Sequence, residues 1–192
     1  MRKIALTGNI ASGKSAVQNF LQELGFKVLD TDVVGHFLLK DNSEVISTFA
    51  DYDICENGEI SRTKLAQVVF NDKNLLEKLN SILHPLIKNE ILKFFKENSD
   101  EEKVFVAIPL LFEAKMEDLF DEVVFVYAND KLRLQRLIQR NGFDEKYAQQ
   151  RIDSQMPQEE KLKKVDIVIN NEGALDDLKM QTIKLFRPEQ RS

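Results

Sequence analysis

Apolar residues along the chain follow two rhythms. In runs such as Ile4-Ala5-Leu6, Val104-Phe105-Val106-Ala107-Ile108 and Val123-Val124-Phe125-Val126 they stand side by side, and between those runs they return every third or fourth position. The first rhythm predicts strands buried on both faces, the second amphipathic helices. Strands are expected at residues 3–7, 26–29, 103–108, 123–127 and 165–169, and helices at 16–24, 33–40, 43–49, 62–70, 130–140, 144–155 and 174–186. Gly25 suits the position just past the first helix, Asn57-Gly58-Glu59 reads as a turn, and Ser61 and Asp130 are expected to cap helices. A further helix is expected from Asp72, interrupted at His84-Pro85 because proline lacks an N–H and crowds the preceding turn. It resumes with Leu86, Ile87, Ile91, Leu92 and Phe95 turned to a core. Strands alternating with helices make an α/β chain with an open parallel sheet.

Between the first strand and the first helix lies Gly8-Asn9-Ile10-Ala11-Ser12-Gly13-Lys14-Ser15, which fits G-x-x-x-x-G-K-[ST] at every fixed position. Glycines let the backbone curl so that successive N–H groups point into one hollow, and the helix adds the positive end of its dipole. The hollow is a phosphate cradle, with Lys14 reaching the terminal phosphates and the Ser15 hydroxyl available to Mg²⁺. Ligands of such sheets sit beyond the carboxyl ends of the strands, where the second strand delivers Asp30-Thr31-Asp32. An extended segment there puts both carboxyls on one side, one to orient an attacking hydroxyl and one for the metal; the alternative is a helix cap. The third strand ends in Pro109 without an acid, so it is no orthodox Walker B segment and the metal falls to Asp30 or Asp32.

The long helical stretch 41–102 is where small-molecule kinases of this type keep the acceptor. Its candidates for an anionic acceptor are Arg62, His84 and Lys88, each of which also makes sense as an ordinary surface or structural residue. Arg133, Arg136 and Arg140 follow at i, i+3 and i+7 on one helix, either as a row of guanidiniums over the cradle or as a solvated face. Asn141-Gly142 then break that helix before a polar helix suited to a lid. Asn170 closes the last strand, either to bond a nucleotide base or to shape the turn.

Composition narrows the class. A chain of 192 residues with 43% hydrophobic and 31% charged residues is an ordinary globular domain, and no repeat or second domain is expected. A net charge of −5 and a pI of about 5.2 argue against nucleic acid and anionic membrane as partners. No apolar run approaches the roughly 18 residues that span a bilayer, and the N-terminus runs straight into a strand, so a cytoplasmic location is expected. The single Cys55 has no intrachain partner, and disorder is expected only over residues 187–192.

Taken together, the loop Gly8 to Ser15, Asp30-Thr31-Asp32, Asn57-Gly58-Glu59-Ile60-Ser61-Arg62 before Leu65, His84-Pro85, Pro109-Leu110-Leu111-Phe112-Glu113, Gln135-Arg136-Leu137 with Arg140, and Asp166 with Asn170 resemble the dephospho-CoA kinase family. The resemblance covers nearly the whole chain. It implies a three-layer P-loop kinase fold whose five-stranded parallel sheet has the order 2-3-1-4-5. One domain over 1–192 is implied, with a core at about 1–40, 103–135 and 160–186, a helical acceptor-binding insertion at about 41–102 and a short lid at about 136–159. It implies ATP, Mg²⁺ and dephospho-CoA as ligands, and a monomer or weak homo-oligomer. By position, Asp32, Lys14, Arg140 and Arg136 carry the catalytic roles, and Gly8, Ala11, Ser12, Gly13, Lys14, Ser15, Ala16 and Asn170 hold the nucleotide. Asp32, Arg62, His84 and Lys88 meet the acceptor, while Ser15 and Asp30 meet the metal. Three positions depart from the family pattern: Asn9 and Ala11 replace glycines, and Gly35-His36 stands where Ala-Arg is usual. The cradle tolerates Ala11 provided its φ is negative, and a mostly neutral His36 weakens any phosphate contact made there. Rival readings are another nucleotide or small-molecule kinase and a nucleotide switch, though no Asn/Thr-Lys-x-Asp guanine signature is present.

Overall fold

The computed structural model describes residues 1–70 and 72–187; the tail expected to be disordered lies, from Pro188 on, outside the described residues. Two compact units emerge, one of residues 1–30 and 95–192, the other of residues 31–94.

The first unit is built on a parallel sheet of β1 (Arg2–Thr7), β2 (Lys27–Asp30), β5 (Lys103–Ala107), β6 (Glu122–Tyr127) and β7 (Ile167–Asn170), in the order β2-β5-β1-β6-β7. Counting these five strands alone, that is the expected 2-3-1-4-5. The register pairs Leu6 with Ala107, Thr7 with Phe125, Asp30 with Ala107 and Tyr127 with Asn170, so β1, β2 and β5 finish within a residue of one another and β6 and β7 run two residues past β1. Because side chains alternate along a strand, Ile4, Leu6, Phe105, Ala107, Val124, Val126 and Ile169 share one face and form a buried cluster with Val17, Phe20, Leu21, Leu178 and Phe186. Val17, Phe20 and Leu21 are the apolar stripe of α1 (Lys14–Glu23), and Leu178 and Phe186 that of α9 (Leu175–Phe186). Phe105 meets Phe26 and Phe186 edge to face at centroid distances of 5.2 and 5.1 Å. Gly25, at φ 89, turns the chain out of α1 into β2, a left-handed angle that favours glycine.

Between β6 and β7 run α6 (Asp130–Asn141), α7 (Glu145–Asp153) and α8 (Gln158–Leu162). The cap of α6 is Asn129 rather than Asp130: its side chain accepts the Leu132 N–H, which frees the Asp130 carboxylate in the first turn for Arg133 and Gln158. Gly142, at φ 66, ends the helix, and Asp144 caps α7 through the Tyr147 N–H.

The second unit carries α2 (Thr31–Leu39), α3 (Ser43–Thr48), a two-residue hairpin of β3 (Cys55–Glu56) and β4 (Glu59–Ile60), α4 (Arg62–Val69) and most of α5 (Lys73–Glu97). The hairpin went beyond the expected turn. Asn57 and Gly58 at φ 53 and 84 both adopt left-handed angles, the combination that matches the twist of two paired strands. Ser61 stands at the cap position of α4, but its hydroxyl makes no capping bond. The expected interruption at Pro85 is absent, and α5 is one helix of 25 residues. Pro85 removes one N–H, but buried Leu79 and Ile82 before it and Ile91 and Phe95 after it anchor the helix on both sides, so packing outweighs the lost bond. Leu92, expected in the core, is exposed. A separate cluster of Leu39, Val45, Phe49, Ile54, Ile60, Leu65, Val69, Leu79 and Ile82 holds these helices together.

Candidate active site

The glycine-rich loop leaves β1, the strand flanked on both sides in the middle of the sheet, and enters α1 at Gly13, whose φ is 99. Its amides divide into two sets. The Ile10 N–H is donated to Gln155 Oε1 at 2.7 Å, Ser12 N–H to the Asn9 carbonyl at 3.0 Å and Ala16 N–H to the Gly13 carbonyl at 3.0 Å. The amides of Ala11, Gly13, Lys14 and Ser15 have no acceptor among the described residues. Four donors without a protein acceptor at the start of a helix form an anion site. Lys14 lies beside them, 9% exposed and in no ion pair among the described residues. A near-buried ammonium without a counter-charge calls for an anion to complete it. Ser12 Oγ and Asn9 Oδ1 are likewise buried without a partner among the described residues.

The glycines are required where side chains close in. A Cβ on Gly8 meets Ser12 Oγ at 2.6 Å and the Val126 carbonyl at 2.8 Å; one on Gly13 meets Asn171 Nδ2 at 2.0 Å. Ala11 has φ 61, so the negative angle on which its tolerance rested is not what the structure shows, and the cradle forms with a methyl in the left-handed region. Such an angle costs an L-residue about 1–2 kcal/mol. What opposes that cost is packing: Ile10 and Ala11 lie against a buried cluster of Leu137, Ala148 and Ile152 contributed by α6 and α7.

Asn171 was missed by sequence reasoning, which chose its neighbour Asn170. Asn171 is buried and donates Nδ2–H to the Ser12 carbonyl at 2.7 Å, while its backbone N–H bonds the Tyr127 carbonyl at 2.7 Å. Asn170 is exposed and shapes the turn: its Oδ1 accepts the Glu172 N–H at 2.8 Å. The bonds from Asn129 and then Asn170 hold the Glu172 carboxyl below its ordinary value. The only sequence signal for Asn171 is an amide pair at the carboxyl end of the last strand, level with the loop.

The three arginines of α6 do different things. Arg133 is 2% exposed and acts as a strut, bonding Asp130 Oδ1 at 2.6 Å and the Ile10 carbonyl at 3.4 Å. Arg136 donates from one terminal nitrogen to the Asn171 carbonyl at 2.9 Å, and its other terminal nitrogen is buried without a partner among the described residues. Arg140 is exposed and donates to Asn141 Oδ1 at 2.9 Å. On the other side of α1, Gln18 Nε2 donates to Asp30 Oδ2 at 3.0 Å, which ties that carboxylate to the helix whose second residue is Ser15.

In the second unit, the backbone turns helical at Thr31, so strand alternation does not extend past Asp30 and cannot put both carboxyls on one side. Asp32 is exposed in the first turn of α2. Further along lies a cleft of about 420 Å³ whose lining includes Val33, His36, Phe37, Lys40, Ile60 and Arg62. Val33 and Phe37, one turn apart, are 63% and 79% exposed. Lys40 pairs with Glu59 at 2.8 Å, which raises its pKa chiefly through that hydrogen bond. His84 is half-buried, and burial pushes its imidazole below the ordinary value, so it is neutral near pH 7; Lys88 is exposed.

Comparison with known proteins agrees on one family. Residues 2–177 match the dephospho-CoA kinase family. The dephospho-CoA kinase of Carboxydothermus hydrogenoformans is 43% identical over 190 residues, 96% of this chain and 92% of that one. Among solved structures, dephospho-CoA kinase from Campylobacter jejuni superposes with a TM-score of 0.72 at 32% identity over 95% and 94% of the two chains. A Thermus thermophilus protein reaches a TM-score of 0.82 at 33% identity over 96% and 95%.

Proposed function

The chain belongs to the dephospho-CoA kinase family, and from that premise we propose how its own residues carry the ATP-dependent transfer of a phosphoryl group to the ribose 3′-hydroxyl of dephospho-CoA. The observation that supports the arrangement most directly is the set of four unspent amides beside an unpaired Lys14. They receive the phosphates of ATP, and Lys14 neutralises charge on the equatorial oxygens as the transfer proceeds. Asp32 orients the 3′-hydroxyl and accepts its proton. Arg140 supplies a further cation from the lid, residues 136–159, while Arg136 acts through the Asn171 carbonyl that it holds.

A hydroxyl and a carboxylate are hard oxygen ligands, and Ser15 with Asp30, linked through α1 by Gln18, suits Mg²⁺, which keeps most of its waters and takes one or two protein ligands. Ser15 and Asp30 would hold the metal, and the chemistry it would supply there is withdrawal of negative charge from the phosphates. The acceptor is held by the second unit, with Arg62 as its exposed cation; His84, being neutral, contributes a hydrogen bond rather than charge. The test is incubation of the purified chain with ATP and a panel of hydroxyl acceptors. Phosphorylation of dephospho-CoA at the 3′ position in preference to nucleosides is expected, and preference for a nucleoside would move the chain to another small-molecule kinase activity.

A further inference from the structure

We propose that Gln155 is a positioning residue for the phosphate loop, the key link of a two-bond clamp that sets where the loop's free amides lie. The proposal rests on the reading that this loop receives ATP. Gln155 Oε1 takes the Ile10 N–H at 2.7 Å, and in return Asn9 Nδ2–H reaches the Met156 carbonyl at 3.0 Å. Two consecutive loop residues are thus bonded to two consecutive residues 145 or more positions away.

The far side of the clamp is itself fixed. Glu113 Oε1 accepts the Met156 N–H at 3.1 Å and pairs at 2.7 Å with Lys161, which is completely buried. Breaking a buried ammonium–carboxylate pair leaves an uncompensated charge, so Met156 is a firm reference point. Gln158 reinforces it, with Nε2 on the Ala128 carbonyl at 3.1 Å and on Asp130 Oδ1 at 2.8 Å.

The clamp also selects. By taking the Ile10 amide, Gln155 removes it from anion binding, and the amides of Ala11, Gly13, Lys14 and Ser15 stay free after it. Residue 155 lies two positions past α7, whose Ala148 and Ile152 belong to the buried cluster against which Ile10 and Ala11 pack, so a displacement of the helix is felt at the loop through both apolar packing and a hydrogen bond. Asn9 belongs to the same device, because a glycine there has no side-chain amide to offer the Met156 carbonyl.

The experiment is ATP titration without acceptor, combined with amide hydrogen exchange at Ile10 and steady-state kinetics. Gln155→Ala is expected to speed Ile10 exchange and raise the ATP dissociation constant about five- to tenfold, the effect of losing one well-made hydrogen bond. Acceptor KM should hardly change, and the unfolding midpoint should fall by no more than the loss of one hydrogen bond allows. Gln155→Glu keeps an acceptor oxygen and should keep Ile10 exchange slow, and Asn9→Gly should weaken ATP in the same direction by less. Faster Ile10 exchange with unchanged ATP affinity overturns the proposal, as does parallel loss of both substrates together with stability. Should ATP binding respond as expected while dephospho-CoA is not phosphorylated, the functional reading falls and the clamp stands.

Discussion

The proposed nucleotide cradle and the proposed acceptor region are finished to different degrees. In the first unit the loop is held by directional bonds: Gln155, Asn171 and Arg133 each hold a backbone group of residues 10–12, while the amides of Ala11, Gly13, Lys14 and Ser15 stay unpaired for an anion. In the second unit, Val33 and Phe37 are left open on α2, and a cleft of about 420 Å³ runs beside them. A triphosphate is small, rigid in its demands and common to many kinases, so its site is preorganised by directional bonds. On the proposed reading, an acceptor with a long arm is held by apolar area, which is less directional and leaves exposed surface behind when empty.

Four measurements break or sharpen that contrast. Asp32→Asn has the largest expected effect, a fall in kcat of about 10²-fold or more with ATP affinity nearly unchanged. Retained turnover would reduce the second unit to a holder of substrate. Next, Asn171→Ala leaves the Ser12 carbonyl without its donor and should cost about 1–3 kcal/mol in urea unfolding together with weaker ATP binding. If stability is untouched, the cradle is less tightly built than its bonds indicate. Phe37→Ser should raise KM for dephospho-CoA about five- to tenfold, in keeping with one lost aromatic contact, while stability stays within about 0.5 kcal/mol because the ring is exposed. An unchanged acceptor KM would make that surface irrelevant to catalysis. The smallest effect is on pH. His84 is neutral in the folded chain and binds a proton more readily once unfolded, so stability should be full above its ordinary value of 6.5 and decline as pH drops below it. Urea midpoints at pH 5.5 and 7.5 should converge in His84→Gln relative to the unaltered chain.

Much of this was legible in the sequence. Unbroken apolar runs marked the strands, and the spacing of two glycines, a lysine and a serine marked the cradle, because both are local patterns with local causes. What escaped notice was long-range. Nothing near Gln155 distinguishes it from the other glutamines of its stretch; its role exists only once the chain returns to residue 10. Asn170 and Asn171 are identical in composition and differ in which way each side chain leaves the strand end, which the register against Tyr127 decides. Ala11 holds a left-handed φ against its own preference while packed on the α6–α7 cluster, and the helix through Pro85 persists because buried residues on both sides outweigh a local breaker.

The bond between Asn171 and the Ser12 carbonyl joins groups 159 residues apart. On a ribosome adding about 5–20 residues each second, the loop therefore emerges roughly ten to thirty seconds before its last support is made. A growing chain already carries the whole Gly8–Ser15 signature yet lacks this support of the proposed ATP site, which makes nucleotide capture a property of a chain extended past residue 171.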